Sequence, residues 1–125
     1  MGASQKLQPF EVFSTNGRVA VLDVPYLNRA TFGDIPLRGE IIGLFLAQVN
    51  GLVRRLDLPV DSAAWQFLTH TLKGAAAAVG AKHIAEIAGA WEHRLVPQTV
   101  EARLKLSAEL KAAILAFEKA ASNLH

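Results

Sequence analysis

His70 stands in a segment where Trp65, Leu68, Leu72, Ala76 and Val79 recur at helical steps. At about 100° per residue His70 points away from that apolar stripe. Around it, within roughly 60° on the same wheel, lie Ala63, Gln66, Phe67, Lys73, Gly74 and Ala77. A neutral imidazole nitrogen is a competent nucleophile near neutral pH, because the free side chain titrates at about 6.5. Lys73, one turn on, can neutralise charge on an incoming phosphoryl group. One nucleophile and one cation, with no acid to complete a triad and no pocket of their own, describe a carrier rather than a complete enzyme. The phosphoryl donor, its metal and its leaving group would come from a partner.

Gly74 lies one turn after His70 on the same face. A glycine inside a helix costs about 1 kcal/mol relative to alanine, and the surrounding sequence is rich in alanine. Two readings compete. The glycine allows close packing against a neighbouring helix, or it clears the approach to His70 so that a large partner can bring a reacting atom to the ring. The outward histidine and nearby lysine favour clearance.

The other histidines form no such group. His83 and His93 are not spaced as a helical metal pair, and there is no His-Glu-x-x-His pattern and no cysteine, so zinc, thiol and disulfide chemistry are not expected. There is no Gly-x-x-x-x-Gly-Lys-Ser/Thr loop for a nucleotide. Trp65 and Trp91 read as core or boundary residues, and Arg54-Arg55, Arg94 and Arg103 as surface charges.

The elements that must hold His70 are helical. Asp23 followed by Pro25, and Asp34 followed by Pro36, are start signals: a capping carboxylate, then proline in the first turn. The first opens a short helix that stops at Gly33. The second opens a helix carrying Leu37, Ile41, Phe45, Val49, Leu52 and Leu56, ended by Leu58-Pro59. Asp61 or Ser62 caps the third helix, which Gly80 breaks. A fourth carries Ile84, Ile87, Ala88, Trp91 and Leu95 until Pro97. A fifth runs from about Gln98 to Asn123 on Val100, Leu104, Leu110, Ile114 and Phe117. Short loops make sequential helices antiparallel neighbours. The expected fold is all-α: an antiparallel up-and-down four-helix bundle with a short leading helix, over residues 23–125. Residues 1–22 form an N-terminal extension, read as a short arm or as a hairpin turning at Asn16-Gly17.

Composition agrees. The 125 residues are 51% hydrophobic, include 21 alanines and carry a net charge of +2. That excludes a disordered chain and gives no basic footprint for nucleic acid or a membrane surface. The uncharged stretch 41–53 is too short to span a bilayer and contains Gln48 and Asn50. With no signal peptide at the N-terminus, the default address is the cytoplasm. The start at Met1 leans toward a free-standing protein, and one complete bundle makes a monomer sufficient.

The run His70-Thr71-Leu72-Lys73-Gly74-Ala75-Ala76-Ala77-Ala78-Val79-Gly80 resembles the signature of histidine-containing phosphotransfer (HPt) domains. That signature has an apolar residue two after the histidine, Lys-Gly at three and four, a small-residue run, and a glycine at ten. Ile84, Ile87 and Trp91-Glu92 resemble the family's fourth-helix pattern, where Leu-Glu is commoner than Trp-Glu. Leu22-Asp23 through Leu27, and Glu40 through Phe45, resemble its first two helices. The similarity covers about residues 23–124.

The resemblance implies a middle step of a phosphorelay. His70 would take a phosphoryl group, at Nε2, from the aspartate of a receiver domain and pass it to another receiver. Lys73 would be the phosphate-side cation and Gly74 the clearance residue. Glu92 or Gln66 would orient the other ring nitrogen, and Ala63, Phe67 and Ala77 would lie in the receiver-docking surface. The implied partners are response-regulator receivers or a hybrid sensor histidine kinase. No cofactor is implied for this chain; Mg²⁺ is expected only on the receiver. Sensor-kinase dimerisation helices also present a phosphorylated histidine, but usually follow it with an acidic residue, where Thr71 stands here. The rivals are a binding-only module that docks receivers without accepting phosphate, and a plain structural bundle.

Overall fold

A computed structural model of the chain describes residues 20–124, and most of the expected N-terminal extension of residues 1–22, with its arm or hairpin turn, lies outside them. Among the described residues the chain is all-helical. The elements are α1 (Val24–Ala30), α2 (Ile35–Arg54), a 3₁₀ turn (Arg55–Asp57), α3 (Ser62–Val79), α4 (Lys82–Trp91) and α5 (Val100–Ser122).

The start signals act as anticipated. Asp23, Asp34 and Asp61 each adopt extended backbone and accept a hydrogen bond from the amide three residues on, at 3.1, 3.0 and 2.8 Å. Each satisfies one of the amides that a helix start leaves without a partner. Thr99 does the same for α5 through Ala102. Gly80 ends α3 with φ +77°, the left-handed conformation that only glycine adopts without strain. A Cβ there would also lie 3.0 Å from the Asp23 carbonyl oxygen. That approach is used: the Asp23 amide donates to the Gly80 carbonyl at 2.8 Å, and Lys82 Nζ sits 3.7 Å from Asp23 Oδ2. The start of α1 is thereby fastened to the α3–α4 turn.

Helix α3 packs on α2 and α4, α5 packs on α2 and α4, and α1 lies against α3. These contacts enclose one core containing Leu27, Val49, Leu68, Leu72, Ile84, Trp91, Leu110 and Phe117, all 2% exposed or less. Phe45 and Phe117 meet edge to face at 5.0 Å, joining α2 to α5. Ala20 and Leu22, in the segment assigned to the extension, are buried as well.

Three details correct the sequence reading. Helix α4 stops at Trp91, so Leu95 is not on its buried stripe and is 91% exposed. Val100 and Leu104 are both half exposed; the buried line of α5 runs instead through Arg103, Leu106, Leu110, Ile114 and Phe117. Arg103 is accordingly not a surface charge. Its guanidinium is buried and donates at 3.2 Å to the carbonyl of Leu56, in the 3₁₀ turn that follows α2.

Candidate functional site

His70 sits mid-way along α3, and its side chain is 86% exposed. The buried face of α3 explains this. Trp65, Leu68, Thr69, Leu72, Ala76 and Val79 turn inward, which forces the opposite strip outward. Ala63, Gln66, Phe67, His70, Lys73, Gly74 and Ala77 are all exposed. The expected group is therefore brought together on one open face, with Phe67 presenting two-thirds of its surface.

Gly74 lies inside α3 and nothing stands within 4 Å of where its Cβ would be. Close packing against a neighbouring helix therefore does not account for the glycine. The turn after His70 is bare backbone facing outward.

Across the α3–α4 interface, Glu92 is the first residue beyond the end of α4. Its two carboxylate oxygens serve two partners. Oε1 accepts from Lys73 Nζ at 3.1 Å, and Oε2 stands 3.8 Å from His70 Nδ1. The first is a charge-assisted hydrogen bond; the second is longer than a hydrogen bond. Gln66, the other orienting candidate, lines the same shallow groove beside the ring but makes no hydrogen bond to it. The carboxylate thus lies on the Nδ1 side of the ring.

The groove also contains His93, which its spacing in the sequence did not join to the group around His70. His93 lies past the end of α4, where helical spacing carries no information about direction. His83 belongs elsewhere, half-buried with Nδ1 3.6 Å from Glu86 Oε1. Among the described residues no cluster of three His, Asp or Glu side chains could hold a metal ion, and no helix is long and apolar enough to cross a membrane.

Comparison with known proteins bears on this geometry. No curated protein and no solved structure gives a significant match to the chain. A protein-family model, the Hpt domain, matches residues 40–120, a span that takes in His70, Lys73, Gly74 and Glu92. With well over half the chain matched and an outward histidine at its centre, the chain belongs to the Hpt domain family.

Proposed function

We propose that this protein is a phosphorelay intermediate: His70 accepts a phosphoryl group from the aspartate of a receiver domain and passes it to another receiver. Hpt domains are phosphohistidine carriers rather than kinases, and work with receiver domains and kinases in two-component signalling. The observation that carries the finer reading is the exposed His70 ring beside the uncovered backbone of Gly74. Free access along that side supports in-line approach of an aspartyl phosphate.

The roles follow from the chemistry. The Nε2 lone pair attacks phosphorus, the phosphorus–oxygen bond to the aspartate breaks, and its electrons leave with the carboxylate. Lys73 offsets the negative charge of the transferred group. Glu92, whose carboxylate lies 3.8 Å from Nδ1, is the group assigned to orient the ring during the reaction, a part for which it is better placed than Gln66. Ala63, Phe67 and Ala77 give the receiver a flat, partly apolar surface around the ring. The chain itself needs no cofactor; Mg²⁺ belongs to the receiver. A monomer in the cytoplasm, with α2, α3, α4 and α5 in antiparallel up-and-down order, completes this reading. The closed ring of contacts among α2, α3, α4 and α5 supports that order. A binding-only module is the weaker alternative, since it has no use for an exposed histidine beside a lysine.

The test is transfer from a labelled phospho-receiver. Wild type should acquire acid-labile, alkali-stable label, and His70→Gln should acquire none while keeping its helical spectrum. Label retained by His70→Gln would overturn the assignment.

A further inference from the structure

We infer that Glu92 exchanges partners when His70 is phosphorylated, binding Lys73 in the resting protein and the Nδ1–H of His70 in the phosphorylated one. The inference rests on His70 being the phosphorylated residue and concerns what that event does to its neighbours. In the resting protein one carboxylate is shared unequally: 3.1 Å from the lysine ammonium and 3.8 Å from the ring nitrogen. Only the first is hydrogen-bonding distance. Lys73 is half exposed and its pair with Glu92 lies at the surface, so the pair is weak and easily broken.

A phosphoryl group on Nε2 changes both sides of the balance. It adds about two negative charges beside a flexible ammonium, which gives Lys73 a second and more highly charged partner. Attack through the Nε2 lone pair keeps the ring proton on Nδ1 and makes the ring cationic, and a carboxylate at Nδ1–H stabilises that charge and retains the proton. Lys73 turns to the phosphoryl oxygens. Glu92, released from the lysine, closes the remaining distance to Nδ1–H. Lys73 is thereby occupied until there is a phosphoryl group to hold, and the ring is oriented most firmly once it bears one.

The experiment uses ¹⁵N-labelled full-length protein phosphorylated chemically with phosphoramidate, which transfers its phosphoryl group to Nε2 and leaves as ammonia. No receiver is involved. In the resting protein Glu92→Gln should shift the Lys73 ammonium resonance; in the phosphorylated protein the same substitution should leave that resonance in place. There it should instead speed water exchange of the His70 Nδ1–H by about fivefold, the protection expected of one such hydrogen bond. A second variant reads the exchange from the other side: Lys73→Ala should protect Nδ1–H in the resting protein already. An equal Glu92→Gln shift of Lys73 in both states, no change at Nδ1–H, or absence of phosphate on Nε2 would overturn the inference. Partner exchange after chemical phosphorylation, with no transfer from any receiver, would overturn the relay reading alone.

Discussion

The indole rings of Trp65 and Trp91 stack at 5.7 Å with 22° between their planes. Trp65 lies on α3 just over one turn before His70, and Trp91 is the residue before Glu92. The stack therefore fixes how α3 and α4 slide past one another at the level where His70 and Glu92 face each other at 3.8 Å. Trp91 Nε1 also donates to Glu109 Oε1 at 3.3 Å, which ties the same point to α5.

Trp91→Ala should lower unfolding free energy by about 3–5 kcal/mol, the usual cost of emptying a buried aromatic site. Urea denaturation followed by circular dichroism measures it. A loss below about 1 kcal/mol would mean that the stack does not hold the two helices together.

Gly74 separates stability from function. Because nothing lies within 4 Å of the missing Cβ, Gly74→Ala should raise stability by about 0.5–1 kcal/mol. Gly74→Leu should slow transfer from a phospho-receiver at least tenfold while leaving labelling by phosphoramidate nearly unchanged, since only the large donor needs the space. Equal slowing with both donors would place the effect on the ring itself.

Arg103 tests a buried charge whose partner is a backbone carbonyl. Arg103→Met keeps most of the aliphatic volume but leaves the Leu56 carbonyl without its donor. The expected loss is about 1.5–3 kcal/mol, read as a lower urea midpoint. An unchanged midpoint would show that water replaces the guanidinium at no cost.

The parts visible in the sequence are those that depend on neighbours in the chain. Asp23, Asp34 and Asp61 cap helices through the amide three residues on, so the signal and the bond share one short segment. The outward strip of α3 was visible for the same reason, because one helix fixes the directions of Gln66, His70, Lys73 and Gly74 together. The approach of Glu92 to within 3.8 Å of His70 Nδ1 was not visible, since it depends on how far α4 is shifted along α3. Arg103 was misread because its partner, the Leu56 carbonyl, is distant in sequence and comes near only where the 3₁₀ turn after α2 packs against α5. Leu95 was misread because helical spacing continued on paper past the point where the backbone leaves the helix at Glu92. The pairing of the two tryptophans likewise appears only when their helices are set side by side.

The contact between Asp23 and Gly80 bears on how the protein should be cut for study. The family model begins at residue 40, inside α2, and ends at residue 120. Leu22 and Leu27 nonetheless fill part of the interior, and the Asp34 cap lies before that limit. A fragment trimmed to the matched span would begin with a frayed helix and an unfilled apolar hollow. Expression boundaries should instead start before Ala20, so that the leading segment can seal the end of the bundle.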